Sequence, residues 1–213
     1  MMTGGRRHRT IKRAIDIVGS VALLIVLSPA LLAAAVVVKT TSRGPVIFRQ
    51  ERVGLNGQPF EILKFRSMVV DNDDSEHRAY ASRLLIDPLA EPGTGDHIFK
   101  LDDARVTAAG TVMRRYSIDE LPQLWNVLRG EMSLVGPRPM LDWEVELLSE
   151  RHRRRLDGYP GCTGLWQVSG RSRLSTHEML EADLAYIDTW SPSRDLQILL
   201  KTPLAIWSTD GTR

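Results

Sequence analysis

The strongest constraint on this chain is an uncharged run of 22 residues from Ile17 to Val38, IVGSVALLIVLSPALLAAAVVV. As one straight helix it would be about 33 Å long, enough to cross a hydrocarbon core of about 30 Å. Ser28-Pro29 sits near its middle, and a proline inside a helix removes a backbone hydrogen bond and kinks or breaks it. Both flanks are basic, with Lys12 and Arg13 before the run and Lys39, Arg43, Arg49 and Arg52 after it. The positive-inside tendency places such flanks on the cytoplasmic side. If both ends stay inside, the segment enters and returns as two halves of about 17 Å, each too short to cross. Two other readings stand beside this re-entrant hairpin. A single span would ignore the break. A cleaved signal peptide would use Ala33-Ala34-Ala35 as its small-residue site, but the apolar run is long for one.

The remainder of the 213 residues is enough for one domain with a sizeable core. The formal net charge is only +2, yet cations cluster at Arg6, Arg7, Arg9, Lys12 and Arg13, and again at Arg151, Arg153, Arg154 and Arg155. Such runs are solvated faces or contacts for anionic headgroups. The single Cys162 excludes an internal disulfide and suits a reducing compartment. Its plainest role is a small packed residue. The histidines His8, His77, His97, His152 and His177 lack metal-ligand spacing, so no zinc site is expected.

After the apolar run, Val46–Phe48 and Phe60–Leu63 are strand candidates around the loop Gly54-Leu55-Asn56-Gly57. Lys64 and Arg66 alternate onto one face if the second strand continues; protective charges on an edge strand would look the same. The polar segment from Asp71 to Gly95 reads as an exposed insertion with a short helix over Arg78–Ile86. Trp143–Leu156 reads as an amphipathic helix with a basic end, and Pro160–Arg171 as a glycine-punctuated loop and strand. Glu178–Trp190 is helical by period. Leu196–Trp207 is apolar, interrupted by Pro203, and suits a membrane interface with Trp190 and Trp207 at headgroup depth.

Chemistry concentrates between Thr107 and Pro139. Ser117 and Glu120 match a capping box, and Leu121, Leu124, Trp125 and Leu128 mark one apolar helix face. Asp119 and Glu120 then fall in a helical first turn, where the dipole and free N–H groups favour anions, and Pro122 is tolerated there. Capping alone would account for an isolated SxxE pattern. Here Arg114 and Arg115 lie upstream and Gly130 marks the helix end. In Gly136-Pro137-Arg138-Pro139, two prolines stiffen the backbone around one guanidinium, a phosphate fork or simply a rigid turn. A carboxylate pair bracketed by arginines suits phosphoryl transfer, with one carboxylate as nucleophile or metal ligand.

Two other classes fit less well. A glycosidase needs two carboxyl groups facing each other about 5 to 9 Å apart, whereas adjacent helical residues point about 100° apart. A membrane-surface adaptor using its basic runs on anionic lipid or nucleic acid would tolerate Asp119→Asn, since Asn also caps helices.

Taken together, KRAIDIVGS, the Ser-Pro break, RQERVG, KFRSM, the pattern of Asp103 to Thr107, SIDELPQLWNVLRGEMSLVGPRP and PGCTGLWQVSGR resemble the monotopic bacterial phosphoglycosyl transferases, or bacterial sugar transferases, from about Lys12 to Trp207. The resemblance implies an α+β, mostly helical fold. Residues 1–40 would carry the basic N-terminus and a re-entrant membrane hairpin broken at Ser28 and Pro29. Residues 41–213 would form a catalytic domain on the cytoplasmic face of the bacterial inner membrane, with a β-hairpin, interfacial amphipathic helices and 71–95 as the insertion. It implies a nucleophilic Asp119 that takes sugar phosphate from a UDP-sugar, releases UMP, and passes the group to polyprenyl (undecaprenyl) phosphate. Glu120 would be its dyad partner and Mg2+ the cofactor, held near Asp119. Arg114, Arg138, Lys64, Arg66 and Arg171 would bind phosphate or substrate. The implied setting is the first membrane step of exopolysaccharide, O-antigen or capsule assembly, without nucleic acid; a homodimer rests on analogy alone. Against the family pattern, the chain lacks the extra N-terminal transmembrane helices of larger relatives, the 71–95 insertion carries no assignable motif, and Cys162 replaces an expected aliphatic residue.

Overall fold

A computed structural model describes residues 6–69, 75–87, 105–170 and 174–207. The architecture is mostly helical α+β with two small sheets. It opens with α1 (Arg6–Val26) and α2 (Ser28–Thr41), which meet at Leu27 in a bend of 64°. The break falls one residue before Ser28-Pro29. Pro29 thereby occupies the first turn of α2, where its missing N–H has no partner to lose. The Ser28 hydroxyl donates to the Ile25 carbonyl at 2.8 Å, satisfying one of the last acceptors of α1. Among the described residues no single helix is long and apolar enough to cross a membrane.

The amphipathicity of α1 is inverted. Lys12, Asp16 and Ser20, four residues apart on one stripe, are buried against the protein, while Val18, Ile25 and Val26 face outward. The buried polar stripe is fully partnered. Lys12 Nζ donates to the Val135 carbonyl at 3.0 Å and to Asp195 at 2.8 Å. Asp16 accepts from the Ser133 hydroxyl at 2.8 Å and the Leu134 N–H at 3.0 Å. Arg13 donates to the Val127 carbonyl and, at 2.6 Å, to the Leu128 carbonyl. Lys12 and Arg13, read from sequence as a basic flank, are therefore internal pins between α1 and the rest of the chain.

An antiparallel hairpin follows, β1 (Ile47–Val53) and β2 (Pro59–Phe65), closed by a 3-10 turn at Leu55–Gly57 with Asn56 at φ 53°. Both strands run longer than the sequence pattern suggests, because the paired hairpin supplies ladder bonds beyond the apolar cores. α3 (Ser75–Ile86) begins earlier than expected inside the 71–95 segment; residues 71–74 and 88–95 lie outside the described set. α4 (Ala108–Arg115) is capped by the Thr107 hydroxyl, which accepts from the Gly110 N–H at 3.0 Å. α5 (Gln123–Arg129) ends at Gly130 with φ 82°, the left-handed residue expected there. Its buried face differs from the apolar stripe read in sequence. Trp125 is 49% exposed, while Asn126 is wholly buried, accepting from the Leu63 N–H at 3.0 Å and donating to the Glu61 carbonyl at 2.7 Å. Those bonds fasten α5 across β2.

Short strands β3 (Ser133–Val135) and β4 (Gly161–Thr163) pair in parallel. The expected single helix over Trp143–Leu156 is broken into α6 (Asp142–Glu146), α7 (Glu150–Arg153) and a 3-10 turn at Arg154–Asp157, because Ser149 caps a fresh helix. Residues Leu165–Ser169 form a short helix, α8, where a loop and strand were expected. α9 (Thr176–Asp188) carries a true capping box at Ser175 and Glu178. α10 (Pro192–Trp207) continues through Pro203.

The main core gathers Val127, Met132, Leu134, Val135, Tyr186, Ile187 and Ile198, with Leu23, Leu24 and Leu27 of the bent pair packed on it. Trp190 belongs to this core and not to a surface: its indole N–H donates to Asp195 at 3.1 Å. Trp207, 77% exposed, remains outside with Leu196, Leu200 and Leu204. The second arginine run is also spoken for. Arg151 pairs with Glu181, Arg154 with Asp188 and buried Arg155 with Asp183, while Arg153 donates to the Leu148 and Glu146 carbonyls.

Candidate active site

Asp119 and Glu120 stand in a 3-10 turn, Ile118–Glu120, one turn ahead of α5. The expected capping box does not form. Ser117 takes a left-handed conformation (φ 55°, ψ 24°) and its side chain caps nothing, because the Glu120 carboxylate is drawn elsewhere. Glu120 Oε1 accepts from Lys64 Nζ at 2.9 Å and from Arg138 Nη1 at 3.4 Å. Asp119 is 7% exposed and makes no hydrogen bond or ion pair among the described residues. The two neighbours thus have opposite surroundings: one carboxylate is committed and the other available.

Three elements deliver the cations. Lys64 comes from β2 and Arg52 from β1. Arg138 comes from the loop after β3, where Gly136 allows a close backbone crossing: a Cβ there would lie 2.1 Å from the Tyr159 carbonyl oxygen. Arg155 donates to the Arg138 carbonyl at 2.9 Å and fixes the same loop from below. Arg52, Lys64, Glu120, Gln123, Arg138 and Cys162 line one pocket. Arg114, at the end of α4, adds positive potential at Asp119.

Electrostatics separate the pair further. Burial first, then the Glu120 charge, push the Asp119 carboxyl up to about 6. Burial would also raise Glu120, but Lys64 and Arg138 outweigh it and hold that carboxyl well below the usual range. Burial lowers Lys64, opposed by Glu120. Burial and the nearby Arg138 guanidinium lower Arg52 to about 10, still a cation at neutral pH. Among the described residues, cations therefore outnumber committed carboxylates around a buried Asp119 that makes no hydrogen bond to them. The arrangement suits an incoming polyanion such as a diphosphate.

Of the residues singled out in sequence, the structure brings together Asp119, Glu120, Lys64, Arg138 and Arg114. Arg66 goes elsewhere. β2 ends at Phe65, so the strand alternation that would align Arg66 with Lys64 stops. Its guanidinium donates to the Pro45 carbonyl and to the Ser42 carbonyl and hydroxyl at 2.8 and 2.9 Å, closing the end of α2. Arg171 lies outside the described residues. Ser28 and Pro29 lie at the bend of the helix pair. Arg52 is the contributor sequence reasoning passed over. The β1–β2 register pairs Gln50 with Ile62 and Arg52 with Phe60, which puts Arg52 on the Lys64 face. That alternation was the available signal. Cys162 forms part of the pocket wall, and burial pushes its thiol far up, away from nucleophilic use.

A divalent cation of the hard, oxygen-seeking kind would find one candidate ligand here, the Asp119 carboxylate. Mg2+ commonly uses one or two protein carboxylates and takes its other ligands from phosphates and water. Asp119 is a buried carboxylate without a cationic hydrogen-bond partner among the described residues, and a bound cation would offset the cost of its charge.

The chain matches the bacterial sugar transferase family over residues 7–209. It is 43% identical over 208 residues to the UDP-galactose-lipid carrier transferase of Erwinia amylovora, covering 95% of this chain and 42% of that protein. It is 39% identical over 201 residues to the exopolysaccharide production protein ExoY of Sinorhizobium fredii, covering 94% of this chain and 87% of that one. A UDP-glucose:undecaprenyl-phosphate glucose-1-phosphate transferase of Caulobacter vibrioides is 42% identical over 208 residues, 94% of this chain and 71% of the relative. The chain thus spans less than half the Erwinia protein and most of the Sinorhizobium one.

Proposed function

The chain belongs to the bacterial sugar transferase family, and we propose that it moves a sugar 1-phosphate from a UDP-sugar to polyprenyl phosphate, with release of UMP. The observation that carries this reading is the division of labour between Glu120, engaged by Lys64 and Arg138, and Asp119, buried and unengaged beside them.

In the first step an Asp119 carboxylate oxygen attacks the β-phosphorus of the donor. The new O–P bond forms as the bridging P–O bond breaks, and its electron pair leaves with UMP. In the second step a phosphate oxygen of the lipid acceptor attacks the same phosphorus, restoring the Asp119 carboxylate and giving polyprenyl diphosphate sugar. The raised basicity of Asp119 makes it a stronger nucleophile while leaving it mostly ionised at neutral pH. Arg52, Lys64, Arg114 and Arg138 offset the donor's charge, which would otherwise repel a carboxylate. Glu120 holds Lys64 and Arg138 in place. Asp119 would hold Mg2+, which supplies charge neutralisation on the diphosphate when bound.

The bent pair α1–α2 supports a re-entrant membrane element on the cytoplasmic face of the inner membrane, with residues 41–213 as the catalytic domain. Its polar stripe is buried in protein and its apolar side faces out, the arrangement for an apolar medium. With both outer ends on one surface, limbs of 21 and 14 residues meeting at the 64° bend carry their tip about 13 Å deep at 1.5 Å per residue, within one leaflet. The role in exopolysaccharide-type assembly is proposed from the relatives' names.

UMP release is the deciding measurement, made in detergent with Mg2+ and a panel of UDP-sugars, with and without undecaprenyl phosphate. Wild type should release UMP and, with lipid withheld, carry a sugar-phosphate adduct on Asp119. Asp119→Asn should do neither. UMP release undiminished in Asp119→Asn would overturn the mechanism, and glycoside cleavage without UMP would favour the two-carboxylate hydrolase.

A further inference from the structure

A second cluster of ligand-type side chains lies away from the carboxylate pair. His177 and Glu181 sit four residues apart on α9, and His152 approaches from α7. One ligand atom from each falls within 4.8 Å of the others. Sequence spacing hides the set, because 25 residues separate His152 from His177 and only the packing of α7 on α9 unites them.

We propose that His152, His177 and Glu181 form a zinc-class metal site that clamps α7 to α9. Two imidazoles and one carboxylate suit Zn2+ and its analogue Co2+ better than Mg2+, and three protein ligands leave a fourth position for water. His152 is preorganised: its Nδ1 lies 3.2 Å from the Ser149 hydroxyl, which leaves Nε2 facing Glu181 Oε1 at 3.0 Å. A metal would stand between those two atoms. Tetrahedral zinc holds ligand atoms about 3.3 Å apart, so the His152–Glu181 pair would open slightly and the exposed His177 ring, which lies edge-on to His152 with centroids 5.1 Å apart, would turn inward. One competitor is present. Arg151 donates to both Glu181 oxygens at 2.9 and 2.7 Å. That pair is exposed on the arginine side, 65%, and such pairs hold weakly. The clamp would join the same two regions as the buried Arg155–Asp183 bridge, which supports the Arg138 carbonyl.

The test is a titration of metal-stripped full-length protein in detergent with Co2+, read by its visible absorption, and with Zn2+ by calorimetry. The expected result is one site, weakened at least about tenfold in His177→Ala, tightened in Arg151→Ala because a competing cation is gone, and unchanged in Asp119→Asn. Because His177 and Arg151 are exposed, both variants should fold. Equal affinity in His177→Ala, or weaker binding in Arg151→Ala, would overturn the site. Neither readout depends on sugar-phosphate transfer, so the two proposals fail separately.

Discussion

Arg155 donates to the backbone carbonyl oxygen of Arg138 at 2.9 Å while its guanidinium pairs with Asp183, both partners being buried. The loop that offers the Arg138 guanidinium to Glu120 is thus held by a second arginine 17 residues later in the chain. Arg155 touches no candidate reacting group and acts through Arg138. Arg155→Lys keeps the charge toward Asp183 but loses the forked geometry. The expected outcome is a folded protein with kcat/KM for the UDP-sugar reduced about tenfold, chiefly through KM, corresponding to about 1.4 kcal/mol. Unchanged kinetics in a folded Arg155→Lys would mean that the bridge is structural only.

Asp119→Asn should abolish adduct formation and yet stabilise the protein. Burial raises the folded carboxyl from 3.8 to about 6. It therefore binds its proton more tightly folded than unfolded, and its favourable contribution is lost as pH rises through that range. At pH 7 the variant should gain on the order of 1–3 kcal/mol over wild type, with the difference vanishing below about pH 4. Paired thermal denaturation at pH 4 and pH 7 checks this; an equal difference at both pH values would contradict it.

The same ionisation should govern the first chemical step. In the proposed mechanism adduct formation requires the Asp119 carboxylate, so its rate should climb with pH and level off above about 6, the value toward which burial and Glu120 push the group. Single-turnover adduct formation between pH 5 and pH 8, followed by mass spectrometry, is the measurement. A rate independent of pH below 6 would assign the nucleophile elsewhere.

Gly136→Ala and Gly57→Ala make a contrasting pair. A Cβ at Gly136 would lie 2.1 Å from the Tyr159 carbonyl oxygen, so the Arg138 loop or β4 must move. At Gly57, with φ 76°, it would meet nothing within 4 Å. Gly57→Ala should cost about 1–2 kcal/mol through backbone conformation alone. Gly136→Ala should cost about 3 kcal/mol and depress donor binding as Arg138 shifts. Denaturant titration with donor binding measured alongside decides it; similar costs and intact binding in both would show that the backbone at the crossing yields without moving Arg138.

The outward apolar side of α2 gives a membrane prediction. Leu32→Asp and Val36→Asp replace exposed side chains that touch little of the protein core. Folding should survive, while partition to membrane fractions should fall, since a buried charge in hydrocarbon costs about 2.5–3.5 kcal/mol. Both variants remaining fully membrane-bound would argue against the re-entrant reading.

Short-range physics made part of this molecule legible in sequence. A proline inside an apolar run announces a break, and the observed pair bends at its neighbour Leu27. The turn at Leu55–Gly57, the left-handed Gly130 and the helix of α9 follow from local backbone preference in the same way. The candidate residues Asp119, Glu120 and Arg138 stood out because chemistry was dense over a short stretch.

What the sequence alone determined, then, were breaks, turns and the suspicion of an anion site, because each depends on residues within a few positions of one another. Which ions meet depends on the packing of segments far apart in the chain. Ser117 and Glu120 satisfy a local capping pattern, yet Glu120 turns to Lys64, 56 residues earlier. Lys12 looks like a membrane flank and is buried on Asp195, 183 residues away. Arg66 looks like Lys64's companion and closes α2 instead. A long flexible side chain is indifferent to sequence distance, and leaving one buried charge unpaired costs more than giving up a local cap. Folding therefore settled these partnerships by proximity in space.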